Sequence, residues 1–321
     1  MGILGMGRIA SGFDRFDGPE VQTHMKAIMR EPRLKIAYVA DVAPERACCE
    51  AQRFKLEARV VSPEEMLGAT MDVLCIASPD GTHLNYLTSL KGRARLILTE
   101  KPLEGTKAER AEALANLEAR GSALVVHHQR RWIPQLNEWM FAAKAGAYGR
   151  AASATVHYTR GLRHNGVHAL DLIAGFVGTD VRDVCAIGQG IADLNPRDLT
   201  RSLLLTLGDG NAELPVMLYG VDGRIQTAFA VDIRFEKARV VVYDEGGIRA
   251  ELHRAADIGV EGFAPELRRA VLFHDDPPAL MTAVWRNIAD HLERGTALAC
   301  VGRDALAAYD LADAIEARLA A

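Results

Sequence analysis

A lysine pinned at the end of a buried strand is a candidate acid, base or oxyanion partner. Residues 95–102 read Arg-Leu-Ile-Leu-Thr-Glu-Lys-Pro. Leu96, Ile97 and Leu98 form a short apolar run, the pattern of a strand buried on both faces. Pro102 cannot donate to a ladder, so the strand must end by Glu100 and Lys101. Ligands of open α/β sheets bind beyond the carboxyl ends of the strands, where these two charges fall. Partial burial would push the Lys101 amine toward the working range. The plainer alternative is a strand end with a solvated ion pair.

Two further groups have types and spacing that suit chemistry. Gly5-Met6-Gly7-Arg8-Ile9-Ala10 matches G-x-G-x-x-G/A directly after the apolar stretch Met1–Leu4. Gly5 permits the tight turn and Gly7 lets backbone approach a pyrophosphate. Ala10 lets the following helix pack, and Arg8 and Ile9 are expected to line a dinucleotide. Asp41 ends a second strand over 34–40, placed to accept from adenosine ribose hydroxyls and to repel a 2′-phosphate. NAD is therefore expected ahead of NADP. Asp41 also stands before a helix start at Pro44-Glu45-Arg46, so an end-capping role competes.

The third group is His164, His168 and Asp171, spaced i, i+4, i+7. On one helix they would share a face. An acid/base site, a zinc site and a helix start with incidental histidines all fit that spacing. A zinc hydrolase also needs a glutamate directly after the first histidine, and Asn165 stands there, so no metal is expected.

The elements that must position these residues alternate. Short apolar strands at 1–4, 34–40, 60–61, 72–77, 96–98 and 123–126 are separated by helical stretches, which implies a parallel sheet with right-handed crossovers. Residues 12–20 interrupt the first crossover as a loop, and a helix resumes at about Val21. The strand at 72–77 ends in Ser78-Pro79-Asp80-Gly81-Thr82-His83, with His83 in the first turn of a helix. From 151 onward, strands separated by Gly, Asp and Asn turns suggest a largely antiparallel sheet, closed by helices over 278–294 and 303–320. The expected architecture is an N-terminal doubly wound Rossmann domain over 1–126 and an α+β domain over 127–321 with an open sheet.

The glycine turn, Asp41, the segment 77–83 and Glu100-Lys101-Pro102, in that order, resemble the Gfo/Idh/MocA oxidoreductases. His127-His128-Gln129-Arg130-Arg131-Trp132-Ile133-Pro134 is similar to that family's exit from the nucleotide domain. Gly146-Ala147-Tyr148-Gly149-Arg150 and Asn165–Leu172 extend the likeness over most of the chain. The resemblance implies that Lys101 is the catalytic lysine in a Lys-Pro peptide that is often cis. It implies that Ser78, Pro79 and His83 flank the cofactor, that Glu100 helps orient it, and that His168 contacts the substrate hydroxyl. One departure stands out: relatives often carry aspartate where this chain has His164, so Asp171 would have to serve as the carboxylate partner. His164 would then relay a proton or bind substrate. Arg131, Arg160 and Asn165 are the candidate substrate contacts, the arginines suiting an anionic ligand if they are not a solvated rim.

The implied reaction is hydride transfer between NAD and a secondary alcohol of a sugar, cyclitol or sugar nucleotide. Glycoside cleavage through transient oxidation and a non-catalytic nucleotide sensor are the alternatives. A net charge of −4 without a basic block excludes nucleic acid as a partner, and no apolar run reaches membrane length. Five cysteines without CxxC spacing, and a chain starting directly at Met1-Gly2-Ile3, lead us to expect a cytoplasmic protein. Exposed faces on the second sheet lead us to expect a homodimer or homotetramer.

Overall fold

The computed structural model describes residues 1–193, 195–208, 213–244, 247–256, 266–275 and 277–320. The chain divides into two compact units: Met1–Trp132 with Pro277–Leu306, and Ile133–Asp276 with Ala307–Ala321. The sequence reading put 277–306 in the second domain. Its side chains pack in the first unit instead: Trp285 is fully buried and its indole bonds His24. Val301 adds a bridge to Val125 at the edge of the first sheet.

The first unit holds six parallel strands: β1 (Gly2–Leu4), β2 (Tyr38–Ala40), β3 (Arg59–Val60), β4 (Thr70–Ile76), β5 (Arg93–Thr99) and β6 (Ala123–Val126). Their order is β3-β2-β1-β4-β5-β6, the doubly wound arrangement with its switch between β1 and β4. Helices α1 (His24–Met29), α2 (Pro44–Arg53), α3 (Pro63–Gly68), α4 (His83–Thr88) and α5 (Lys107–Ala119) make the crossovers. Leu96, Ile97 and Leu98 are wholly buried, as their unbroken apolar run requires. Ser62 with Glu65 and Thr106 with Glu109 form reciprocal capping boxes that start α3 and α5.

Two boundaries differ from the sequence reading. Strand β2 begins at Tyr38, not 34, because β1 begins at Gly2; ahead of it Met1 bonds Lys35 through its amine and Ala37 and Tyr38 through its carbonyl. Helix α1 begins at His24, not Val21, because the Asp14 carboxylate takes the N–H groups of Gln22 and Thr23, and Thr23 then caps the helix.

The second unit holds an eight-stranded sheet. Its strands are β7 (Ala151–Tyr158), β8 (Val181–Ile191), β9 (Thr200–Gly208), β10 (Glu213–Gly220), β11 (Phe229–Phe235), β12 (Ala238–Asp244), β13 (Ile248–Ala255) and β14 (Leu267–Asp275). The order is β14-β13-β12-β11-β7-β10-β9-β8, antiparallel except for β7 against β10. Strands β13 and β14 were not anticipated; their charged, Arg-rich sequences hide the alternation. Burial alternates along β11 and β12, so Val231, Ile233, Val240 and Val242 face inward. Helix α6 (Pro134–Lys144) and helix α7 (Val167–Val177) belong to this unit. Helix α7 is buried on all sides: every residue from Val167 to Phe176 is buried. Helices α8 (Pro277–Arg294) and α9 (Gly302–Ala320) close the chain. Among the described residues no helix is long and apolar enough to cross a membrane, and all five cysteines are free.

Candidate active site

The first unit gathers its chemistry at the carboxyl ends of β1, β2, β4 and β5. Gly5 has φ +93°, and a Cβ there would stand 2.6 Å from the Ser78 nitrogen, so only glycine lets β1 turn against β4. Gly7 is different: a Cβ there would meet nothing within 4 Å. That open backbone is the cradle a pyrophosphate needs and a side chain would fill. The chain then makes one wide helical turn, with Gly12 and Phe13 N–H groups reaching the Gly7 and Arg8 carbonyls. Ala10 is fully buried, Ile9 is half-buried and Arg8 is exposed.

Asp41 is buried, and its two oxygens serve two turns. Oδ2 accepts the Met6 N–H at 2.8 Å and Oδ1 accepts the Ala43 N–H at 2.9 Å. The carboxylate thus ties the glycine turn to the end of β2. Ala43, not Asp41, occupies the capping position of α2. The residues present fit a dinucleotide: an open glycine cradle, a helical turn beyond it, and an acidic residue at the β2 end.

The segment after β4 is held from below. Ser78 Oγ pairs with Thr82 Oγ1 at 2.7 Å, and Thr82 Oγ1 donates to the Pro79 carbonyl at 2.6 Å. His83 is buried, with Nδ1 2.8 Å from the Pro102 carbonyl and Nε2 2.8 Å from the Ser78 carbonyl. Both ring nitrogens are spent on joining the Ser78 loop to the Lys101-Pro102 loop.

Glu100 lies at 6% exposure beyond β5, and the Lys101–Pro102 peptide is cis. Its Oε1 receives both His24 Nε2 at 2.8 Å and His127 Nδ1 at 2.6 Å, while Oε2 accepts the Lys101 N–H at 3.2 Å. Burial pushes the Glu100 carboxyl up, but the His127 and His24 rings outweigh it and hold it well below the usual carboxylate range. Burial holds the His24 ring below its ordinary value against the pull of Glu100. Beneath the cluster, burial and then the Glu100 charge push the Cys75 thiol up, so it stays neutral.

By type, His24, Glu100 and His127 could hold a divalent ion, and their donor atoms lie within 4.8 Å of one another. The Trp285 indole N–H, however, points at His24 Nδ1 from 3.2 Å. An indole is a donor only, so Nδ1 must carry the lone pair and Nε2 the proton. A protonated Nε2 donates to a carboxylate and cannot ligate. The arrangement is a hydrogen-bonded clamp on Glu100.

In the second unit, His168 and Asp171 are buried on α7, one turn apart. A wide turn over Gly161–Gly166 precedes α7 and takes His164 and Asn165 out of the helical register that the spacing implied. Asp198 holds that turn: Oδ1 accepts the Arg163 N–H at 3.0 Å and Oδ2 the His164 N–H at 2.8 Å. Burial pushes the Asp198 carboxyl up, and those backbone bonds oppose the shift. Arg160 takes a left-handed conformation at φ 66°, its N–H bonded to Asp193 at 2.7 Å. Its side chain is exposed, whereas the Arg163 side chain is committed to Asp313 at 2.6 Å and to Glu316. In the first unit, Arg131 and Arg130 are buried.

Sequence reasoning missed four supports: His24 and His127 on Glu100, Trp285 on His24, and Asp198 under His164. Glu100 carried the one usable signal, since a carboxylate beside a buried strand needs donors. A cleft of about 940 Å³ opens at the other end of the first sheet, around Arg93, Arg95 and Glu118. It lies at the amino ends of β4–β6, away from the edge where such sheets bind ligands.

Residues 1–128 match the family described as "Oxidoreductase family, NAD-binding Rossmann fold", Gfo/Idh/MocA. An inositol 2-dehydrogenase of Rhizobium meliloti (strain 1021) is 25% identical, over 98% of this chain and 94% of that one. Among solved structures, UDP-N-acetylglucosamine 3-dehydrogenase GnnA from Acidithiobacillus ferrooxidans aligns at TM-score 0.71 and 17% identity, covering 99% of this chain and 96% of the other. A super-repressor mutant of Gal80p from Saccharomyces cerevisiae aligns at TM-score 0.72 and 15% identity, over 99% of this chain and 95% of that one. At such identities the structures speak for the fold alone. The open glycine turn and the Glu100-Lys101-Pro102 strand end lie within residues 1–128, which match the NAD-binding Rossmann domain of the Gfo/Idh/MocA oxidoreductase family, and the near-full-length relative carries the likeness through the rest of the chain.

Proposed function

We propose that this protein transfers a hydride between NAD and a secondary alcohol or ketone of a sugar, cyclitol or sugar nucleotide. The observation that carries the reading is Lys101, which follows a buried carboxylate gripped by two histidines at the carboxyl end of β5. Bound nicotinamide supplies the hydride acceptor or donor. Lys101 then stabilises the oxygen from which the proton leaves, and exchanges that proton. His168 and His164 are further acid/base groups in this reading, and Asn165, Arg131 and Arg160 are candidate substrate contacts. An acidic residue, Asp41, stands at the end of β2 where a 2′-phosphate would lie, which favours NAD over NADP. A near-full-length relative named for inositol supports a polyol-type substrate.

The test is NADH absorbance with purified protein across sugars, cyclitols, uronic acids and nucleotide sugars. Turnover on one of these supports the reading. Sugar release without net NADH change points to glycoside cleavage, and tight NADH binding without turnover points to a sensor.

We also propose a homodimer or homotetramer through the second sheet. Ile187, Leu204, Tyr219 and Leu272 are 40–48% exposed, and the strand register sets them on one face. A monomer in sedimentation would end that proposal.

A further inference from the structure

We infer that Trp285 is a remote positioning residue for Lys101, acting through the tautomer of His24 and the carboxylate of Glu100. The functional half of this inference rests on the role proposed for Lys101.

A carboxylate at 6% exposure is costly unless its lone pairs are met. Glu100 meets them with His24 Nε2, His127 Nδ1 and the Lys101 N–H. Histidine is an uncertain donor, because a neutral ring carries its proton on either nitrogen. What the other nitrogen faces decides the matter. For His24 that neighbour is the Trp285 indole N–H, at 3.2 Å and with the rings at 89°. A proton on Nδ1 would set two N–H groups head to head. Both the Nδ1–H tautomer and the imidazolium contain that clash. His24 is thereby held neutral, with its single proton directed at Glu100.

The titratable groups facing His24 are Glu100 and His127, and Cys75 lies beneath Glu100. The His127 and His24 rings meet edge to face at 5.0 Å between centroids. The His127 ring disfavours a charge on His24, so the indole and His127 bias His24 in the same direction. The chain of contacts runs from α8 through α1 to the backbone of Lys101, across 261 residues of sequence between Trp285 and His24. With the lock intact, Glu100 is an anion whose Oε2 remains committed to the Lys101 N–H. Without it, His24 can take a second proton or turn its lone pair toward the carboxylate, and the anchor on Lys101 slackens.

Trp285→Phe removes the indole N–H and keeps an aromatic ring. Imidazole ¹⁵N shifts of His24 are read in the full-length protein between about pH 5 and 8. Wild type should remain the Nε2–H tautomer throughout, and the variant should gain protonated or Nδ1–H signal. That measurement uses no substrate, so it stands apart from the dehydrogenase reading. With a turned-over substrate, the variant should lose kcat by about 10–100-fold, the scale of a misplaced catalytic group. Its acid limb should move to higher pH, with NADH affinity and KM little changed. His24→Gln places an amide N–H where Nε2–H was and needs no indole to orient it. Adding Trp285→Phe to His24→Gln should therefore cost nothing further. A wild-type His24 that titrates in this range, or an unchanged tautomer in Trp285→Phe, overturns the lock. A changed tautomer with unaltered kcat and pH profile overturns the positioning role.

Discussion

The two glycines of the β1 turn should respond oppositely to the same added methyl group. At Gly5, alanine must adopt φ near +93° and set its Cβ 2.6–2.8 Å from Ser78 N, Ser78 Cα and Ala77 C. These are backbone atoms at the end of a central strand, so nothing flexible can yield. The left-handed conformation costs about 1–2 kcal/mol and the overpacking about 1–3 kcal/mol more. Gly5→Ala should thus lose about 2–5 kcal/mol of stability. At Gly7, φ is −82° and a Cβ would meet nothing, so alanine should be neutral or stabilise by about 0.4–1 kcal/mol through the unfolded chain. The same methyl occupies the space a pyrophosphate would enter. NADH affinity of Gly7→Ala should fall at least about tenfold, or about 1.4 kcal/mol. Urea unfolding gives the stabilities and NADH fluorescence titration the affinities. A Gly7→Ala protein with wild-type NADH affinity would refute the cradle, and a Gly5→Ala protein of wild-type stability would refute the steric argument.

Lys101→Ala should lower turnover by about 10²–10⁴-fold while NADH affinity holds, measured by steady-state kinetics beside fluorescence titration. Stability should fall on acidification in two steps. His24 is held below its ordinary value, so the unfolded chain binds its proton first and stability drops as pH falls below about 6.5. Glu100 is also held low, so its contribution is full above about pH 4.3 and is lost as pH falls through its folded value. Glu100→Gln should lack the second step in urea unfolding across pH. Asp198→Asn should cost about 1–3 kcal/mol, because the Arg163 and His164 N–H groups bond different carboxylate oxygens and an amide sets its NH2 against one of them; differential scanning calorimetry reads the loss.

The alternation of β1–β6 with helices was legible because parallel strands and their helices leave period, caps and punctuation in the chain. Pro102 announced the end of β5, and Gly5 and Gly7 announced the turn. The second sheet was legible only to β12. Strand β13 carries arginine and glutamate on its half-exposed side, β14 carries arginines in a run exposed on both sides, and charge blurs a period of two over eight or nine residues. The His164, His168, Asp171 spacing misled in one respect. It presumes 3.6 residues per turn, and the chain makes a wide turn through His164.

Sequence alone determined which residue types stand at which strand ends, since backbone propensity and apolar runs act over a few neighbours. It thereby placed Lys101, Glu100, Gly7 and Asp41 at the edge where such sheets bind ligands. Only the tertiary structure decided what Glu100 touches. His24, His127 and Trp285 come from three separate stretches, and no local rule relates an indole near the chain's end to a carboxylate at 100. Burial forces a carboxylate to find donors, but the packing of α1 and α8 chose which ones.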